Sequence, residues 1–498
     1  MTAVSYTALF HLLLPEVIVI VTALLVLAAD LLISRTAQSR TRFTTGSVLS
    51  AIGCIGAITL ILSDPQQANV FNGTLVISSE TRLVQIAILI LTVFIVVLSI
   101  ESSFTSHVGE YFAVTLFATT GMMLLVSSEN VLLIFLSLEL LSLSLYVLAA
   151  FNKRSSHSAE AALKYFLFGG MSAAFLLFGL SLLYGLSNST NLVQIARAIK
   201  SPPLDPLLAV AIVMIVLGFG FKVAAVPFHF WAPDVYEGAP ANSASLIASS
   251  AKVAGFVIFY QVMIVGFAGA EGSGDWRSYA PGWVPVVAVV AALSMFLGNL
   301  VAIRQTSVRR LLAYSAIAQA GYILLGLVSH TEQSFGALLY YAVTYALTVI
   351  GAFGVISIVE EQLGGEKLSD FAGLSRRAPV LSFCMLIFML SLAGIPPLAG
   401  FFGKFFLFAS TLSAGQHMLG LLWLVVLAIA MSTVSLYYYL QVLKRIYIAE
   451  PPSEAKPIQV PLISQLTLCA IALSILVLGC APDLFLKWLH QPIRIAHF

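Results

Sequence analysis

The chain has 498 residues, of which 60% are hydrophobic and 9% charged, with a formal net charge of +2. An average soluble domain carries about 25% charged residues, and the mean hydropathy of +1.00 points the same way. These values describe a polytopic membrane protein and exclude a soluble enzyme, a nucleic-acid binder and a secreted disulfide scaffold. The four cysteines, Cys54, Cys384, Cys469 and Cys480, lie in or beside apolar runs and form no CxxC pair. They read as small core residues, not as zinc or iron–sulfur ligands.

Apolar stretches of about 20 residues cross a bilayer. Fourteen are predicted in chain order, at 9–33, 43–62, 82–104, 109–128, 130–151, 160–186, 205–230, 241–268, 282–303, 310–329, 334–360, 378–411, 415–447 and 458–481. No Lys or Arg precedes Arg35, and the first run is too long for a signal-peptide core. It reads as a retained transmembrane helix. Loops after odd-numbered helices hold 14 basic residues, from Arg35, Arg40 and Arg42 through Lys444, Arg445 and Lys456. The opposite side holds 6: Arg82, Arg197, Lys200, Arg277, Lys487 and Arg494. The positive-inside rule then places the odd-numbered loops in the cytoplasm and both termini on the other side.

Of the 24 basic residues, the remaining four are Lys164, Lys222, Lys252 and Lys404, all inside predicted spans. Glu139 stands out in the same way, about nine residues, or about 14 Å, into predicted helix 5. Each such charge costs at least about 2.5–3.5 kcal/mol if it faces lipid, so all five must face protein or water. Lys164 sits about one turn into predicted helix 6, where snorkelling to the surface competes with a functional role. Lys222, Lys252 and Lys404 are deep, and a proton path is the expectation for them.

Predicted helix 7 reads GFGFKVAAVPFHFWAPDVYEGAP over 218–240. Pro227 has no N–H, so the carbonyl of Val223 loses its helical partner beside Lys222. Predicted helix 12 reads SLAGIPPLAGFFGKFFLF over 391–408, where Pro396 and Pro397 free the carbonyls of Leu392 and Ala393 ahead of Lys404. A helix broken at membrane depth is tolerated where it lines a cavity or is buried in protein. One such helix in each half of a chain marks an inverted-repeat transporter. The expected architecture is one polytopic all-α domain over 1–498. It divides into N-terminal helices 1–3 (1–108), a first five-helix repeat of helices 4–8 (109–268), an inverted second repeat of helices 9–13 (269–447), and helix 14 with the C-terminus (448–498).

Glu139 and Lys222 have opposite sign and similar depth. If adjacent, each favours the charged form of the other, and separating them makes the buried ammonium give up its proton. Predicted helices 10 and 11 carry no carboxylate in their bodies, so Lys404 has no evident acid partner. Tyr314, Ser315, Gln319, Tyr340, Tyr341, Thr344 and Tyr345 are the polar groups available there, as water-chain residues or as interhelical hydrogen bonds. His229, after the break, reads equally as a proton relay and as a satisfied core histidine. Glu16, Asp30 and Glu110 lie near helix ends and read as solvated or packed. Asp234 and Glu237 read as a cytoplasmic proton uptake point or, more commonly for such positions, as loop caps. No GxxxxGK[ST] or GxGxxG sequence marks a nucleotide site, and no His pair or Cys cluster marks haem or iron–sulfur. No cofactor or metal is expected in this chain.

The tracts FKVAAVPFHFWAPDVYEGAP and LAGIPPLAGFFGKF, with EAALKYFLFGG at 160–170 and LSLELLSLSLYVL around Glu139, resemble the antiporter-like membrane subunits of respiratory complex I. The resemblance covers the whole chain, and the four tracts in this order are very specific. WAPDVYEGAP and Lys404, where the M-type branch has Glu, are most similar to the N-type branch, the homologues of mitochondrial subunit 2. One departure is ANSASLIASSAKVAG after GAP, where the family runs through Thr and Pro, so the bend ahead of Lys252 is expected to differ. The resemblance implies a coupling pair of Glu139 and Lys222, a central relay at Lys252 and an exit lysine at Lys404. It also implies a bacterial inner-membrane location, with NADH, FMN, iron–sulfur clusters and quinone held by partner subunits. A subunit of a multisubunit cation/proton antiporter or membrane-bound hydrogenase shares Glu139, Lys222 and Lys252 and is the alternative. A non-transporting scaffold and a self-contained redox enzyme are the remaining classes; the missing cofactor ligands weigh against the last.

Overall fold

The computed structural model describes residues 6–32, 37–64, 67–199, 204–331, 333–414, 419–451 and 458–487. Arg35, Lys200, Lys456 and Arg494, which enter the loop-charge argument, lie outside them. The chain folds as α1 (Tyr6–Leu12), α2 (Leu14–Leu32), α3 (Ser39–Ser63), an antiparallel hairpin of β1 (Ala68–Val70) and β2 (Leu75–Ile77), α4 (Ser79–Leu98), α5 (Val108–Val126), α6 (Val131–Ala149), α7 (Ser156–Ser187) and α8 (Leu192–Ala198). It continues with α9 (Pro206–Val223), α10 (Trp231–Gly238), α11 (Ala241–Ala248), α12 (Ser250–Gln261) ending in a π turn at Val262–Gly266, α13 (Trp283–Ala302), α14 (Val308–Ser329) and α15 (Ser334–Leu363). The last elements are α16 (Leu374–Arg377), α17 (Pro379–Ala393), α18 (Ala399–Leu412), α19 (Leu422–Tyr447), α20 (Leu462–Cys480) and α21 (Asp483–Leu486).

Among the described residues 13 helices are long and apolar enough to cross a membrane, and α17 and α18 are two shorter apolar helices. The predicted spans differ where proline intervenes. The span 9–33 is interrupted at Leu13, because Pro15 cannot return a hydrogen bond to the His11 carbonyl. The span 205–230 stops at Val223, and 378–411 divides at Gly394–Leu398.

α14 and α15 are almost wholly buried and form the centre of the bundle. Small residues let their neighbours approach closely, as lipid-embedded helices require. A Cβ on Gly298 of α13 would lie 2.6 Å from the Ala318 nitrogen of α14, and one on Gly321 of α14 would lie 2.7 Å from the Ala291 oxygen of α13. Both contacts are with backbone and cannot rotate away. Gly298→Ala and Gly321→Ala should each force α13 from α14 and destabilise the protein by about 1–3 kcal/mol. A lower thermal midpoint of the detergent-solubilised variants checks this.

Candidate functional site

Both predicted breaks are present, and they share one design. α9 ends at Val223, with Ala224 in the left-handed region at φ 59. α17 ends at Ala393, with Gly394 there at φ 85. The Ala225 N–H reaches back to the Gly220 carbonyl (2.8 Å), and the Ile395 N–H to the Leu390 carbonyl (3.1 Å). A proline follows three residues after each left-handed residue, at Pro227 and Pro397.

At the second break, Lys404 is 4% exposed and turns back over the broken end of α17. Its Nζ donates to the carbonyls of Leu392 (3.0 Å) and Ala393 (3.2 Å) and to Ser432 Oγ of α19 (2.9 Å). Those two carbonyls are the ones that Pro396 and Pro397 leave without helical donors. The ammonium also lies 4.9 Å from the Tyr322 ring centre, which adds a cation–π attraction.

At the first break, Lys222 is half-buried, and its Nζ donates to Ser142 Oγ at 2.5 Å. It does not ion-pair with Glu139. The two charges act on each other through space, but among the described residues no ion pair joins them. The reason is the rotation of α6. Leu132, Leu136, Leu140, Leu143 and Val147 form its exposed stripe, which Glu139 borders, while Ser142 is buried and faces α9. The Trp231 Nε1–H of α10 donates to the Phe221 carbonyl (3.0 Å), and its ring stacks on Tyr165 of α7 at 4.3 Å. His229 lies in the break and stacks on Phe230 at 4.5 Å.

Lys252 is 2% exposed, and its Nζ donates to the Ala316 carbonyl of α14 (3.0 Å). The rings of Tyr236 and Tyr345 each lie 5.9 Å from it. Ahead of it the backbone bends at Ser249, where φ −118 and ψ −91 separate α11 from α12. One turn along α14 from Ala316, Gln319 bridges to the second break. Its Nε2 donates to the Leu392 carbonyl (3.2 Å), which also receives Lys404, and to the Tyr439 hydroxyl (3.1 Å). Tyr439 shares a 2.5 Å hydrogen bond with Ser315, and the Tyr341 hydroxyl donates to Gln319 Oε1. Lys252 thus meets α14 at the Ala316 carbonyl, and one turn along the same helix Gln319 shares the Leu392 carbonyl with Lys404.

Of the polar residues anticipated around Lys404, Ser315, Gln319 and Tyr341 join this network. Tyr340 instead donates to the Leu478 carbonyl (2.8 Å), and Thr344 bonds within its own helix. Ser142, Ser432, Tyr322 and Tyr439 were not anticipated. Ser142 had a signal, lying three residues after Glu139 and so near the same helical face. For Ser432 the sequence carries none.

Lys164 lies not on this axis but at the face rich in basic loops. Its Nζ pairs with Asp234 (2.6 Å) and Glu160 (2.7 Å). Asp234 and Glu237 are neither caps nor free carboxylates, since both pair with Arg310 of α14 (2.9 and 2.7 Å). Arg309 pairs with Glu360 (3.4 Å) and Glu366 (3.3 Å) and donates to the Ala239 carbonyl. This cluster ties α10 to α7, α14 and α15. Burial opposes ionisation of Asp234, but Lys164 and then Arg310 hold its carboxyl below the ordinary range. Glu16 and Asp30, expected to be solvated or packed, are both buried. Asp30 pairs with Arg42, while Glu110, at its helix start, meets His107 at 3.1 Å.

The model of the NADH:quinone oxidoreductase/Mrp antiporter transmembrane family matches residues 128–432. NADH-quinone oxidoreductase subunit N 2 of Acidobacterium capsulatum is 54% identical over 98% of this chain and 100% of its own. NADH-quinone oxidoreductase subunit N of Desulforamulus reducens is 44% identical over 75% of each chain. A chain of respiratory complex I from Thermus thermophilus superposes with a TM-score of 0.77 at 32% identity, over 95% of this chain and 98% of that one.

Asp234→Asn should release α10. Losing charge-assisted bonds worth about 1–2 kcal/mol at a partly exposed site should lower amide-exchange protection across 224–240 by about fivefold or more. Because the Asp234 carboxyl sits below its ordinary value, the wild-type tether is fully present above that value. It is lost only as pH falls through the depressed one, so the variant's defect should be the same at pH 6 and pH 8.

Proposed function

The chain belongs to the NADH:quinone oxidoreductase/Mrp antiporter transmembrane family, and on that premise we propose that it is the N-type, proton-translocating membrane subunit of an NADH-quinone oxidoreductase. It works as part of a translocase in which other subunits carry NADH, FMN, iron–sulfur clusters and quinone. The observation that carries this reading is an axis of three lysines inside a bundle 54% identical, over nearly its whole length, to such a subunit. The chain is a multi-pass membrane protein. We place it in the bacterial inner membrane, with the Lys164–Asp234–Arg310 face in the cytoplasm and helices α5–α12 and α13–α19 as the two inverted repeats.

The proposed proton route runs from Glu139 and Lys222 through Lys252 to Lys404. Lys164 supports it through Asp234 and α10, and His229, in the break beside Lys222, is a secondary member. The geometry around the three amines supports this route. Each buried ammonium is solvated by neutral hydroxyls or carbonyls in place of a contacting carboxylate. It can therefore lose its proton without leaving a bare anion at its side, and regain it when a neighbouring charge moves. Glu139, near but not touching Lys222, is positioned to bias that first amine. Electron transfer in partner subunits would act on this pair by moving charge or helix positions.

Two measurements test the reading. First, a gently solubilised pull-down of the tagged chain from its native membrane should carry NADH:quinone activity. If partners co-purify without NADH oxidation, the assignment fails and the antiporter alternative takes its place, tested by sodium-dependent proton flux. Second, in the assembled complex Lys404→Met and Gln319→Leu should each reduce proton pumping at least tenfold, or about 1.4 kcal/mol. Tyr340→Phe, on the opposite side of α15 and bonded to Leu478, should leave pumping unchanged. Equal effects of Gln319→Leu and Tyr340→Phe on pumping would show that the α14 network has no part in the route.

A further inference from the structure

Among the buried acids that the lysine axis leaves unused, Glu16 has neither a cation nor a second hydrogen-bond donor among the described residues. Glu16 stands in the first turn of α2 and is 3% exposed. One carboxyl oxygen accepts from Gln85 Nε2 of α4 at 2.7 Å, and the same amide also donates to the Met123 carbonyl of α5 (3.3 Å). The other oxygen, Oε2, is buried with no hydrogen-bond partner among the described residues. No cation pairs with the carboxyl among them either. An unpaired carboxylate in such surroundings carries a large desolvation cost, which a bound proton removes.

Glu16 itself does not line a cavity, but its chain neighbour Pro15 and its hydrogen-bond partner Gln85 do. Beside Gln85 and Pro15 lies a cavity of about 160 Å³, lined also by His11, Ser63, Asp64 and Arg82. That is room for several water molecules with polar partners. The cavity opens at the membrane face bearing the β1–β2 hairpin, opposite the ion-pair cluster. The titratable groups around it are His11 beside α1's end, Asp64 after α3 and Arg82 on α4; α5 contributes the Met123 carbonyl.

We propose that Glu16 is a proton-binding site that exchanges with water at the hairpin face, through the cavity behind Gln85 and apart from the lysine axis. Gln85 acts as its positioning residue, fixing the carboxyl between α4 and α5. The ligand is the proton itself, and the site needs no redox partner to bind it.

The test uses the assembled complex in native membranes. In a Glu16→Cys variant that still co-purifies with its partners, a small water-soluble thiosulfonate should modify the cysteine, and from the hairpin face only. In the wild type, dicyclohexylcarbodiimide should label Glu16, read by mass spectrometry of its peptide. In that reaction the carboxylic acid adds across one C=N bond. Its proton moves to nitrogen, its oxygen bonds the central carbon, and an acyl shift leaves an N-acylurea with no leaving group. Labelling should fall by about tenfold per pH unit above the carboxyl's midpoint. It should be absent in Glu16→Gln and retained in Asp64→Asn. An unreactive Glu16→Cys means that water does not reach the site, and a reactive cysteine without pH-dependent labelling of Glu16 means that the carboxyl does not carry a proton; either overturns the proposal. These outcomes are independent of NADH oxidation, so failure here is distinguishable from failure of the complex I assignment.

Discussion

Three ammonium groups sit inside a bundle whose surroundings offer no bulk water, and each must find acceptors within the fold. Lys222 takes the Ser142 hydroxyl and Lys252 the second lone pair of the Ala316 carbonyl within α14, while Lys404 is met by interrupting a helix, whose carbonyls are otherwise used internally. The end of α17 at Ala393 releases two carbonyls, and Lys404, ten residues beyond Gly394 on α18, folds back to take both. The left-handed Gly394 belongs to the same arrangement: a Cβ there would lie 3.1 Å from the Lys404 stem. Break, glycine and lysine are therefore one unit, and the central helices pack around it.

The charges divide by depth. At the face rich in basic loops, Lys164, Arg309 and Arg310 pair with carboxylates, where water shares the cost of solvation. These pairs hold the short helix α10 against both halves of the chain. Inside the bundle, Lys222, Lys252 and Lys404 meet hydroxyls, carbonyls and ring faces. A carboxylate would pin a proton at each of these positions; a dipole holds it less firmly. The partners of the basic groups thus differ with depth: carboxylates at the face, dipoles inside. Glu16 belongs to neither set, being buried with an amide on one oxygen only.

The membrane class, both helix breaks and the three deep lysines were legible in the chain. Each rests on local chemistry: runs of apolar residues long enough for a bilayer, prolines that cannot donate, and charges too costly to face lipid. Even the carbonyls freed at Leu392 and Ala393 follow from proline positions by counting four residues back. Other features depend on how helices rotate against one another. The period of α6 cannot say that Ser142 rather than Glu139 meets Lys222. Tyr340 and Tyr341 are neighbours in sequence, yet one bonds to α20 and the other to Gln319, because α15 is buried all round and carries no polar face to orient it.

Asp234 and Glu237 make the same distinction at the surface. Their spacing after a broken helix suits a cap as well as a pair, and only the approach of α14 from the other half of the chain supplies Arg310. The sequence by itself determined where helices run, where they must break and which residues cannot face lipid, since these follow from hydrogen-bond donors and solvation within a few residues. The tertiary structure alone decided which acceptor each buried amine takes and that α14 meets Lys252 and the Lys404 break one turn apart. Those contacts join residues up to 124 positions apart, and helix rotation sets them.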